Sequence, residues 1–213
     1  MWKQNNTNIK YEEDGKTNQI GLYASKLIQN QINMTNGTLY QDIQMALNGG
    51  CEYIPELLCK RNDLSLFRCL EDELKEKDII NWSKHHKYEN PTDLKTFNEI
   101  IERLCKYFNV KPLHTRLNYY FPHDWKPFHH DSHAYTNNDK EDITIGASFG
   151  ITRELEFKHV QTDLKFRFPQ NNGDVFTFDS EINKKFMHGI PQNKTCNGNR
   201  ISIIVWGKKM LHS

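Results

Sequence analysis

The sequence predicts an α+β fold in which helices pack on the outer face of a β core of the sandwich, barrel or jelly-roll type. Two observations predict it. Apolar residues recur at helical spacing through the first half of the chain, and from Pro112 onward they fall into short runs separated by turn residues. The length of 213 residues suits one domain with an appendage.

Residues 1–20 are polar and aperiodic. From Ile20 to Leu47 the apolar positions Leu22, Leu27, Ile28, Ile32, Leu39, Ile43 and Leu47 fit an interrupted helix, punctuated by Asn36-Gly37 and Asn48-Gly49-Gly50. These first 50 residues are read as a partly helical N-terminal extension, and 51–213 as the main domain. Asp63 is placed to cap a helix whose apolar face is Leu64, Leu66, Phe67, Leu70 and Leu74. A second helix is expected from Thr92 to Phe108, with Phe97, Ile100, Ile101, Leu104 and Phe108 on one side. Strands are expected at His114–Tyr120, Pro127–Ser132, Ile143–Phe149, Glu154–His159, Leu164–Phe168, Asp174–Phe178, Lys185–Gly189 and Arg200–Trp206. Many short strands at even spacing are what a sandwich or jelly roll requires.

Composition removes several function classes. A net charge of +1 gives no bulk attraction to nucleic acid or membrane, leaving only a local basic patch. Five scattered cysteines form no Cys-x-x-Cys pair, which argues against a zinc ribbon or a disulfide framework. No apolar run approaches the ~18 residues of a membrane span, and the N-terminus has no apolar signal core. An intracellular protein, cytoplasmic or nuclear and monomeric, is the expectation.

Chemistry concentrates in Pro127-Phe128-His129-His130-Asp131-Ser132. On a strand, residues i and i+2 share a face, so His129 and Asp131 can hold one ligand while His130 turns away. With a distant second imidazole they make the facial triad that suits non-haem iron(II) and leaves coordination positions open for oxygen chemistry. A His-x-Asp alone also fits an ordinary polar strand. His188, flanked by Met187 and Gly189, fits either a ligand or a satisfied core histidine. Arg200 opens the apolar strand Ile201–Trp206, where a buried guanidinium needs an anion. That anion is either an internal carboxylate or the distal carboxylate of 2-oxoglutarate, which the planar fork matches bidentately.

The ordered set Leu117-Asn118-Tyr119-Tyr120, His129-x-Asp131, Thr144–Gly150, Gly173-Asp174-Val175-Phe176-Thr177-Phe178, His188-Gly189-Ile190 and Arg200 resembles the AlkB-like 2-oxoglutarate/iron(II) dioxygenases. Tyr53-Ile54-Pro55-Glu56-Leu57-Leu58 resembles that family's opening, so the likeness spans roughly 51–207. It implies a double-stranded β-helix, or jelly roll, with N-terminal helices on its outer face. It implies iron(II) on His129, Asp131 and His188, and 2-oxoglutarate on Arg200, Asn118 and Tyr120. It also implies oxidation of a substrate C–H by O2 with loss of carbon dioxide and succinate, so that an N-methyl group leaves as formaldehyde.

The sequence departs from that family at three places. Trp206 stands where a second Arg is usual, Asp179–Lys185 replaces a Gly-Gly-x-Ser-Arg turn, and His133 replaces an acidic residue. For the substrate, Trp82 is a candidate to stack on a flipped base, beside a basic cluster at Lys84, His85, His86 and Lys87. His133 and Tyr135 are candidates for the pocket mouth. The substrate expected is a modified base in single-stranded or locally opened nucleic acid, as in repair or modification by demethylation. The alternatives are a protein side chain or small molecule, and, in a different class, a non-catalytic β-helix module.

Overall fold

The computed structural model describes residues 37–78, 87–162 and 164–210. Its core is two antiparallel sheets. The larger is built from β1 (Cys51–Ile54), β2 (Lys87–Glu89), β3 (Val110–Tyr120), β7 (Ile143–Gly150), β10 (Val175–Asp179) and β12 (Arg200–Lys209), in the order β1-β10-β7-β12-β3-β2. The smaller, β4-β11-β8-β9, uses Lys126–His129, Phe186–Ile190, Arg153–His159 and Lys165–Gln170. Tyr135–Thr136 (β5) and Asp139–Lys140 (β6) form a separate hairpin. This antiparallel jelly-roll core with few helices is the fold class expected.

Strand alternation sorts the chemistry onto one face of the large sheet. Ile143, Ile145, Ala147 and Phe149 of β7, Ile201, Ile203 and Val205 of β12, and Leu117 and Tyr119 of β3 point one way. They pack against α2 (Ser65–Glu76) and α3 (Lys95–Phe108) through Leu70, Leu74, Phe97, Ile100 and Leu104. The intervening residues, among them Thr144, Asn118, Tyr120, Arg200, Ser202 and Trp206, therefore face the small sheet. There the space is filled by aromatic rings: Phe157 lies edge-on to Phe178 at 5.6 Å, and Tyr53 stacks on Phe168 at 6.1 Å. A single-residue slip in β12 would turn Arg200 into the helix layer, so the register Arg200↔Tyr120 is what places the guanidinium in the interior.

Both long helices form where periodicity predicts them. Asp63 accepts from Ser65 N (3.0 Å) and Ser65 Oγ (2.6 Å) ahead of α2, and Asn109 ends α3 in the left-handed region at φ 52°. Within the expected N-terminal helical segment, α1 (Gly37–Met45) is described, followed by one π-helical turn over Ala46–Gly50. Ile43 is fully buried in the inter-sheet core, and Asp42 Oδ2 lies 2.8 Å from Nε2 of the buried His159. Two short strands, β1 and β2, were not expected, and neither was the hairpin. Nor was α4 (Ser180–Lys185), which Asp179 caps by accepting from Ile182 N at 2.9 Å.

Candidate active site

β4 and β11 pair with His129 directly opposite His188, and Asp131 follows two residues beyond the end of β4. The close approach needs Gly189: a Cβ there would sit 2.7 Å from Lys126 O and 3.1 Å from Pro127 O. As a result Asp131 Oδ1 lies 3.9 Å from His129 Nε2 and 3.6 Å from His188 Nε2. The ligating atoms all fall within 4.8 Å of one another, and this is the one such His/Cys/Asp/Glu cluster among the described residues.

Each donor is prepared for a cation. His129 Nδ1 lies 2.9 Å from Pro127 O, which favours the tautomer with the proton on Nδ1 and the lone pair on Nε2. That Nε2 is buried and has no hydrogen-bond partner. His188 is 7% exposed among Phe157 and Phe178, and burial pushes its pKa down to about 3, so the imidazole is neutral and ready to coordinate. Burial would raise the Asp131 pKa, but hydrogen bonding from Trp206 and Thr144 works against it and the carboxyl is held low. Thr144 Oγ1 donates to Asp131 Oδ2 at 2.8 Å, leaving Oδ1 to the two imidazoles.

The loop carrying Asp131 is clamped by a residue that no local spacing revealed. Asn183 of α4 accepts from Asp131 N (Oδ1, 2.9 Å) and donates to Asp131 O (Nδ2, 2.8 Å). The stretch Asp179–Lys185, which differs from the resembled pattern, is thus a capped helix that ties the Asp131 loop to the chain entering the strand of His188. His130 turns away, as its i+1 position requires, and its Nδ1 bonds Asn183 O.

Beside the triad, a cavity is lined by Asn118, Tyr120, Gln170, Arg200, Ser202 and Trp206 as well as His129, Asp131 and His188. Arg200 is 1% exposed. Its Nε donates to Ser148 Oγ at 2.8 Å, its Nη2 bonds Gln170 Oε1, and the guanidinium lies 5.1 Å from the Tyr120 ring. Neither hydrogen-bond partner is charged, and Nη1 is buried with no partner at all. Burial pushes the Arg200 pKa down to about 10, which still leaves a cation at neutral pH. A buried guanidinium with a donor that no described residue meets has the chemistry to pair with a carboxylate.

Two substrate candidates lie elsewhere than the sequence suggested. His133, 6% exposed at φ 42°, sits outside the pocket mouth, behind Asp131. Its Nε2 lies 2.9 Å from Thr144 Oγ1, the hydroxyl that donates to Asp131, so it supports the carboxylate through Thr144. Tyr135 is 73% exposed on the β5–β6 hairpin and lines no part of the cavity. Trp82, Lys84, His85 and His86 fall outside the described residues. At the position of the absent second Arg, Trp206 is covered by the guanidinium of Arg116 at 4.7 Å, a cation delivered from β3 instead of β12.

Thr144→Val keeps the shape and removes the hydroxyl that holds Asp131 Oδ2. Its expected result is ~10- to 100-fold weaker metal binding, the range for losing a ligand's outer hydrogen bond. Competition against a chelator measures it, and unaltered affinity would show that Trp206 and the Asn183 clamp on the Asp131 backbone suffice to orient the carboxylate.

A family model, the 2OG-Fe(II) oxygenase superfamily, matches residues 71–205. Among solved structures, a prolyl-4-hydroxylase of Pseudomonas putida superposes with a TM-score of 0.53 at 12% identity, covering 82% of this chain and 100% of that one. A viral collagen prolyl hydroxylase from Paramecium bursaria Chlorella virus-1, in complex with 2OG, gives 0.53 at 15% identity over 77% of this chain and 98% of its own. No curated protein sequence matches.

Proposed function

Because the chain belongs to the 2OG-Fe(II) oxygenase superfamily, we propose that it is an AlkB-like member that hydroxylates or oxidatively demethylates a modified base in single-stranded or locally opened nucleic acid. The supporting observation is the shape and charge of the approach to the triad. Two clefts share His129, Lys87 and Lys126 in their lining. Arg116 lines the smaller. A trough made of two such adjoining clefts suits an extended strand, whereas a small molecule is normally enclosed. Positive charge along it suits phosphate.

In this reading His129, Asp131 and His188 hold iron(II), and Arg200 with Asn118 and Tyr120 binds 2-oxoglutarate. Iron(II), 2-oxoglutarate and O2, when bound, supply oxidation of an unactivated C–H with release of succinate and carbon dioxide. The chain itself orients the co-substrate by its distal carboxylate and excludes water with Phe176, Phe178, Leu155 and Ile190 around the cavity. The larger cleft is also walled by Trp125, Tyr119 and Pro127. That apolar side would accept an extended peptide, which makes a protein side chain the second reading.

Succinate formation in the presence of N-methylated single-stranded oligonucleotides, compared with peptides, tests the choice. Oligonucleotides are expected to stimulate turnover, with binding that weakens steeply as salt rises. Stimulation by a peptide alone would replace the nucleic-acid reading with the second one.

A further inference from the structure

The charged groups around the trough divide into engaged and unengaged sets. Asp124 Oδ2 accepts from Phe121 N at 2.8 Å. Glu89 Oε1 pairs with Arg116 Nε at 2.7 Å. Glu141 Oε2 accepts from Ala134 N at 3.0 Å, and its Oε1 faces His114 Nδ1 at 3.7 Å. Every nearby carboxylate outside the triad thus has a partner. The ammonium groups of Lys126 and Lys87 have no hydrogen bond or ion pair within 4 Å of any described residue, and Lys126 borders the inner cavity and both outer clefts. Lys126 is partly buried, and desolvation pushes its pKa down to about 8, with Arg116 and Lys87 adding to the shift and Asp131 and Glu89 opposing it. Immediately before it, Trp125 is 51% exposed and lines the same cleft as both lysines.

An aromatic face next to unpaired ammonium groups is the combination that binds a nucleotide: the ring takes a base of any identity and the cation takes its phosphate. A neutral peptide would leave both ammonium groups without a partner. Resting on the nucleic-acid reading above, we propose that the cleft walled by Lys87, Trp125 and Lys126 is the subsite for the nucleotide flanking the oxidised base. Trp125 stacks on that flanking base, and Lys126 Nζ receives the phosphate that joins it to the base at the metal. The strand therefore leaves the cavity past β4 on the Trp125 side. Lys87 holds the next phosphate outward.

The test compares a methylated nucleoside monophosphate with the dinucleotide and a longer single strand bearing the same base. The full chain is used, with KM and anisotropy-measured affinity as readouts. The dinucleotide is expected to bind roughly tenfold or more tightly than the mononucleotide, the gain that one stacked base supplies. Trp125→Leu and Lys126→Met are each expected to abolish that gain. Lys126→Met alone should also lower the slope of log affinity against log salt by about 0.7, the value for one single-strand phosphate contact. Trp125 is solvent-facing, so Trp125→Leu reports on the subsite even if Lys126→Met proves unstable. Should oligonucleotides stimulate turnover while Trp125→Leu binds them like the parent chain, the subsite is wrong and the substrate reading stands. If no oligonucleotide binds the parent chain, or an acidic peptide takes its place, the substrate reading fails and the subsite with it.

Discussion

Arg200→Ala is expected to weaken 2-oxoglutarate binding by roughly 30- to 1,000-fold, corresponding to the ~2–4 kcal/mol of a charge-assisted pair in a largely dry cavity. The magnitude rests on the state of the guanidinium. It is buried, it meets the neutral groups Ser148, Gln170 and Tyr120, and its Nη1 has no hydrogen-bond partner among the described residues. Among the described residues, Lys126 is the only other Lys or Arg lining the inner cavity, and it also borders the outer clefts. Arg200→Lys restores the charge without the planar fork and should recover only part of the affinity. Metal binding should be nearly untouched, because Arg200 is not among the ligating cluster. Titration of the apoenzyme and of the metal-loaded enzyme with 2-oxoglutarate separates the two effects, and unchanged affinity in Arg200→Ala would place the carboxylate elsewhere.

His188→Ala is expected to abolish stoichiometric metal binding, and with it succinate formation, as are His129→Ala and Asp131→Ala. The three atoms converge within 4.8 Å, one imidazole nitrogen is buried without a partner, and the other imidazole is kept neutral by its aromatic surroundings. Removing any one leaves two donors, too few for a stable site of this type. His130→Ala is the control: it loses a bond to Asn183 O and should keep the metal. Metal analysis after gel filtration reads the result. Full occupancy in His188→Ala would overturn the ligand assignment, and loss in His130→Ala but not His129→Ala would exchange the two histidines.

The parts of this site legible in the sequence are those governed by strand alternation. His129 and Asp131, Asn118 and Tyr120, and Arg200 at the head of an apolar strand are each a local pattern of period two, and the sheet registers bring them together. What escaped notice comes from non-local pairing. Thr144, Gln170 and Asn183 reach Asp131 or Arg200 from strands and a helix far along the chain, and a polar residue in a strand carries no mark of which partner it will meet. His133 was misplaced for a backbone reason: at positive φ the chain turns, and the alternation that would have aimed it at the mouth no longer holds. Tyr135 left with the hairpin that follows. β1 and β2, at four and three residues, are edge strands too short to show a period. Nothing in the local sequence marks Lys126 and Trp125, because only the fold shows that the neighbouring carboxylates are already occupied.

The Asn183 amide ties the Asp131 loop to the helix five residues ahead of His188 by two hydrogen bonds, at 2.9 Å and 2.8 Å. Loop ordering is therefore completed during folding and not during metal capture. The conformational entropy of the ligand-bearing segment, about 1–2 kcal/mol for each residue fixed, is absent from the binding equilibrium. Chelated protein should keep its native circular dichroism and melt cooperatively. Added metal should raise the melting temperature only by the mass-action amount set by its concentration relative to Kd. Asn183→Ala would move that ordering cost back to the moment of binding, so the melting curve of the chelated protein and its metal affinity would respond to this one side chain in different proportions.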